Sequence, residues 1–214
     1  MQDSESSLEE IWKQRKKELP TESKLSENTE HLLGLLKNHC LEAYQHSLRV
    51  ALLADELATR EGMQDAKPAF YGGSLHDCGK LMLPASLLNA PQINNHAYKE
   101  IKKHAEYGYK MLAEKHPVCA MIAGSHHRIA RGGYGLQPHE AKLPFSLHSK
   151  PTIMQAAITV ALADYFDAAM TRRKAEGTQI KAEMEHAFNR HAKKIPLLFA
   201  SDYAHLFYYR GIKH

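Results

Sequence analysis

The sequence predicts an all-α fold, and three observations carry that prediction. Apolar residues recur near the 3.6-residue period of a helix, as in Leu41, Leu48, Leu52 and, one face over, Ala43, Val50, Leu57. Glycine and proline stand where helices end or begin, with Gly62 past the first long pattern and Pro68 in the first turn of the next. No segment shows the sustained two-residue alternation of a strand.

Taken in order, residues 1–28 are charged and Ser/Glu-rich, interrupted by Pro20, with room for a short helix from Leu8 to Glu18. They are expected to form a polar extension outside the core, leaving 29–214 as one domain. From Glu30 the pattern is helical, and it ends at Gly62. A helix from about Asp65 to His76 follows, then a short one from Pro84 to Leu88. A longer helix is expected from His96 to Glu114 and another from Pro117 to His126. Gly132, Gly133, Gly135, Pro138 and Pro144 then break any helix, giving a loop over 129–150. A loop of that length in a compact domain is usually functional or disordered, and a protein partner could dock there. An alanine-rich helix spans Thr152 to Thr171, and two more are expected past Thr178, separated near Pro196.

Composition narrows the function classes. Of 214 residues, 43% are hydrophobic and 24% charged, enough apolar material for a core and too balanced for a disordered chain. The net charge of +4, from 28 basic and 24 acidic residues, is mild and interspersed, so DNA or RNA binding is not expected. No apolar run reaches the roughly 20 residues that span a bilayer. The acidic start lacks the composition of a secretory leader, and the three cysteines, Cys40, Cys78 and Cys119, have no paired spacing. A cytoplasmic location is therefore expected.

The 15 histidines are the outlier. His46 follows Glu42 by one helical turn. His76 and Asp77 are adjacent at a helix end, and Lys80 comes three residues later. His104 sits mid-helix, His126 and His127 are adjacent, and Asp164 interrupts an apolar helix where an unpaired carboxylate would be costly. Any one of these has an ordinary explanation, such as a helical pair, a satisfied core histidine or half of a salt bridge. Together, imidazoles and carboxylates from five successive helices are what a buried polynuclear metal site requires.

The order H…HD…H…HH…D resembles the HD superfamily of metal-dependent phosphohydrolases, and specifically its HD-GYP branch. HDCGKLMLPASLLNAP (76–91), HAEYGYKML (104–112), IAGSHHRIARGGYG (122–135) and ALADYFDAAMTRR (161–173) resemble successive motifs of that branch. The resemblance implies metal ligands at His46, His76, Asp77, His104, His126, His127 and Asp164, with Glu42 as the carboxylate that in some members supports a third metal. It implies a phosphate contact at Lys80, and residues facing a dinucleotide at Tyr134, Asp167 and Arg173. The signature is altered at several points. Arg128 and Arg131 stand where the pattern has Glu and Asp, Gly135 replaces its final proline, and Lys174, Ala175 and Glu176 replace P-x-[RK]. Lys174 is the candidate substitute for the missing cation.

The function that the resemblance implies is hydrolysis of a cyclic dinucleotide, c-di-GMP to pGpG or GMP. It would use a metal-bridging hydroxide on two or three divalent ions, with Asp77 and Lys80 in the catalytic role. Mixed His/carboxylate ligation favours iron or manganese. Three other readings stay open: an HD phosphohydrolase for another nucleotide or small phosphoester, an oxygen-activating di-iron oxidase, and a metal-retaining binding module without turnover.

Overall fold

A computed structural model describes residues 7–137, 150–171 and 177–194. Among them there are helices and turns and no strand, as the periodicity predicts. The first helix, α1 (Leu8–Glu18), opens on a reciprocal cap, in which the Ser7 hydroxyl accepts from the Glu10 amide and the Glu10 carboxylate from the Ser7 amide. This segment corrects the expectation of an extension outside the core. Trp12 is 2% exposed, stacks on Phe70 with centroids 5.6 Å apart, and donates its indole N–H to Ser74 Oγ at 3.0 Å. One turn on, Arg15 closes a fork on Asp55, at 2.6 and 3.2 Å. A charged helix with one inward tryptophan reads as solvated, because a single aromatic makes no apolar stripe.

Next come α2 (Ser23–His39) and α3 (Leu41–Arg60), the latter the most buried of the early helices. Gly62, at φ +72°, ends α3 in a left-handed turn that a β-carbon would disfavour. The Gly62 amide bonds the Thr59 carbonyl and the Met63 amide the Ala58 carbonyl, both at 3.0 Å, which satisfies two otherwise unpaired acceptors. Packed along α3 lies α4 (Lys67–Leu75), followed by a 3₁₀ turn over Cys78–Met82 and the short α5 (Ala85–Leu88).

The long helix expected over 96–114 is two helices, α6 (Asn95–Ile101) and α7 (His104–Leu112), with a turn at Lys102–Lys103. The break is tied to the site: His104 donates its Nδ1–H to the Ile101 carbonyl at 2.7 Å, taking up a carbonyl at the end of α6. Periodicity does not see such a break, since both lysines keep helical dihedrals. Beyond it, α8 (Pro117–Ser125) runs into a 3₁₀ turn over His126–Arg128, and residues 129–137 form the described start of the loop. The rest of that loop, 138–149, lies outside the described residues, as does everything past 194.

Packed against α3, α4 and α8 is α9 (Lys150–Thr171). Its stretch Pro151–Thr171 is long and apolar enough, by length and composition, to cross a membrane, so the expectation that no run approaches that length needs correcting. Within this fold it is a core helix, with 67% of its most apolar window buried. The chain continues with α10 (Gly177–Ala187) and a 3₁₀ segment over Asn189–Lys194. Cys40, Cys78 and Cys119 are all buried and unpaired.

Candidate metal centre

Three helices, α3, α7 and α9, and the turns that follow α4 and α8 converge on one buried cluster. His46 comes from the second turn of α3, His76 and Asp77 from the end of α4, and His104 from the first residue of α7. His126 and His127 follow α8, and Asp164 comes from the middle of α9. Gly79 makes the convergence possible: a β-carbon there would lie 2.0 Å from the His104 carbonyl oxygen, so only glycine lets the turn carrying Asp77 and Lys80 meet α7.

Three of the histidines are held in one way. His76, His104 and His126 each donate Nδ1–H to the carbonyl three residues earlier, Gly73, Ile101 and Ala123, at 2.7, 2.7 and 2.9 Å. That bond fixes the tautomer and turns the lone pair of Nε2 into the cluster. The Nε2 atoms of His104 and His126 are fully buried without a hydrogen-bond partner. Buried polar atoms are rarely left so. Burial pushes His76 down to about 3 and His104 to about 4, and holds His127 well below its ordinary value. These rings are neutral near pH 7, the form that binds metal.

The carboxylates lie between the rings. One oxygen of Asp77 faces His104 Nε2 at 3.2 Å; the other faces His76 at 3.5 Å and His46 at 3.7 Å, and accepts from Lys80 Nζ at 2.5 Å. Burial alone would raise this carboxyl, but Lys80 and the rings of His76, His104 and His46 hold it well below the usual carboxylate range. Asp164 lies across the cluster, one oxygen 3.0 Å from His46 and 3.9 Å from His76, the other 3.5 Å from His127 Nδ1. Burial opposes its ionisation too, and the His46 hydrogen bond with the charges of His127, His46 and His76 overcomes that effect.

Three groups of donor atoms fall within 4.8 Å of one another: His46, His76 and Asp77; His104, His126 and His127; and His76, His126 and Asp164. The orphaned Nε2 atoms, the neutral imidazoles and two ionised carboxylates fit divalent metal ions. His46 and His76 of the first group face one oxygen of Asp77 and His104 of the second faces the other, so this residue is placed to bridge.

Other expected site residues fall differently. Glu42 is exposed at the start of α3 and belongs to none of the three groups. Asp167, expected to face the dinucleotide, is fully buried, accepting from Arg49 at 2.6 and 3.1 Å and from His46 Nδ1 at 2.6 Å. These bonds place it to orient His46. Tyr134 covers the centre, its ring 4.3 Å from His127 at 30° and 6.1 Å from His104. Arg173 and Lys174 lie outside the described residues. Arg49 was not anticipated, although an arginine inside the apolar run LRVALLADEL must find a partner to be buried.

A helical bundle enclosing a cluster of five histidines and two aspartates has the donor set that could hold divalent metal ions. Residues 43–169 match the HD domain family, and the chain belongs to it. It is 30% identical over 143 residues to the 3′3′-cGAMP-specific phosphodiesterase 1 of Vibrio cholerae, covering 63% of this chain and 30% of that protein. It is also 30% identical over 141 residues to a cyclic di-GMP phosphodiesterase of Thermotoga maritima, covering 62% of this chain and 36% of the relative. This chain thus spans about a third of the length of the curated relatives it matches. In fold it is similar to the HD domain of the L. monocytogenes phosphodiesterase PgpH, with a TM-score of 0.58 at 20% identity, covering 86% of this chain and 99% of that domain.

Proposed function

We propose that this HD domain is a metal-dependent phosphodiesterase of the HD-GYP type that opens a cyclic dinucleotide, c-di-GMP the first choice, to pGpG or GMP. The observation that carries the reading is Asp77 set between two histidine groups, with the unpartnered Nε2 atoms of His104 and His126 facing the same space. The relatives named for c-di-GMP and 3′3′-cGAMP hydrolysis, and a similar structure solved with c-di-AMP, support the substrate class.

His46, His76, His104, His126, His127, Asp77 and Asp164 would hold two divalent ions, iron or manganese by donor type. When bound, such ions lower the pKa of water and neutralise charge on a phosphoryl group. The protein's own contribution is placement. The carbonyl braces keep three imidazoles aimed, Asp77 lies between the two groups, and Asp167 orients His46. Lys80 is buried at the edge of the centre with its ammonium on Asp77, placed to share that charge with a phosphate oxygen. Tyr134 closes one side against water. A cytoplasmic setting accords with three reduced thiols.

The test is turnover of c-di-GMP, 3′3′-cGAMP, c-di-AMP, pGpG and mononucleotides by iron- and manganese-loaded protein. Cleavage of a cyclic dinucleotide supports the proposal. Cleavage of only pGpG or a mononucleotide replaces it with the narrower phosphohydrolase reading.

A further inference from the structure

The turn after His127 meets the end of α10, and between them lies a recess of about 320 Å³. That is the lower end of the size range of small-molecule sites. Its rim carries Arg128, Arg131 and Arg190, with His191 beside them, and no carboxylate is among its described lining residues. Phe188 and Asn189 form the wall from the α10 side. Three exposed arginines line this recess with no acid among its described lining residues, which leaves a local positive field that an anion would relieve. The acid that His191 senses, Glu61, is ion-paired with Lys194 and does not line the recess.

The recess is also built. The Arg131 amide donates to the Ala187 carbonyl at 2.9 Å, joining the two walls through backbone alone. Arg128 is steadied by the Gly133 carbonyl, 3.1 Å from its Nη1. Its position follows directly on His127, so the recess flanks the metal centre without sharing its donor atoms. Arg128 and Arg131 are moreover the two positions where the resembled signature carries carboxylates, so the charge here is inverted in this chain.

We propose that this recess is an anion site that takes a phosphate group of a nucleotide-sized ligand. Guanidinium forks match phosphate oxygens in pairs, which an ammonium cannot do. The phosphate has two sources, a second phosphate of the substrate itself or a separate phosphorylated effector. The site is inferred independently of turnover, and its test rests on binding.

The experiment is calorimetric titration of the full chain with 5′-GMP and, as a control for the phosphate, guanosine. It uses wild type, the double variant Arg131→Gln/Arg190→Gln, and Asp77→Ala, which removes the metal centre. The expected result is GMP binding that survives in Asp77→Ala, is absent for guanosine, and weakens at least about tenfold in the double variant. The Arg131 backbone bond to Ala187 is untouched by that substitution, so the fold is kept. Equal GMP affinity in wild type and the double variant overturns the inference. So does loss of binding in Asp77→Ala alone, which puts the phosphate on the metal centre. Steady-state kinetics then separate the sources. A rise of about tenfold in KM for the cyclic dinucleotide, with GMP competitive, marks the substrate's own phosphate; an unchanged KM marks an effector. Absence of turnover with binding intact would sink the proposed activity and leave the anion site standing.

Discussion

His46 Nδ1 lies 2.6 Å from Asp167 Oδ2, fully buried, and this bond determines which nitrogen of His46 faces the metal centre. The other three braced histidines use backbone carbonyls for the same purpose. His46 sits inside α3, where the carbonyl three residues earlier is already committed to the helix. A carboxylate from α9 substitutes, and Arg49 one turn along α3 holds that carboxylate in turn.

Asp167→Asn should therefore lower metal affinity or turnover by about 10- to 100-fold while the protein still folds. Asp167→Ala leaves Arg49 buried without its partner and should destabilise by roughly 3–5 kcal/mol. Denaturant unfolding and metal analysis of both variants check this. Wild-type metal content in Asp167→Asn would show that His46 needs no brace.

Trp12 ties the first described helix to α4. Trp12→Ala should cost about 3–5 kcal/mol, from lost burial and the Ser74 bond. Thermal unfolding would reveal it. A shift within the error of wild type would restore the reading of residues 1–28 as an outlying extension.

Most of the buried cluster was legible in the sequence because its residues are chemically marked: a vicinal His-Asp, a vicinal His-His and an aspartate in an apolar helix are costly unless used. What escaped was of another kind. The carbonyl braces involve no distinctive side chain. Asp167 carries the same signal as Asp164, and only the three-dimensional approach of α3 to α9 tells an orienting carboxylate from a ligating one. Trp12 is a single apolar residue in a charged helix, so its burial depends on a partner surface 62 residues away in sequence.

Acid should weaken the metal-free protein early. The ordinary histidine value is 6.5, whereas folding pushes His76 to about 3 and His104 to about 4. As pH falls below 6.5 the unfolded chain takes up protons that the folded chain refuses, so stability present above 6.5 is lost down to about pH 4. Each of the two contributes a slope of up to about 1.4 kcal/mol per pH unit. His46, raised by Asp164 and Asp167 against its burial, works in the opposite sense. Urea midpoints of chelator-treated protein between pH 7.5 and 5 should fall, and a flat profile would contradict the buried neutral imidazoles.

Glu42→Gln should leave the metal-to-protein ratio at its wild-type value, since Glu42 is exposed and outside the donor groups. A fall of about one ion per chain, measured by elemental analysis, would instead assign a third metal to that carboxylate.

The most direct measurement of the central claim is metal content and c-di-GMP turnover of Asp77→Ala beside wild type, with circular dichroism on the same samples. Asp77 faces both histidine groups and the Lys80 ammonium, so its removal should empty at least one metal position and take hydrolysis below detection. Lys80, left without its partner, costs some stability, but the helical signal should persist. Wild-type metal content with undiminished hydrolysis in Asp77→Ala would contradict the assignment of this cluster as the catalytic metal centre.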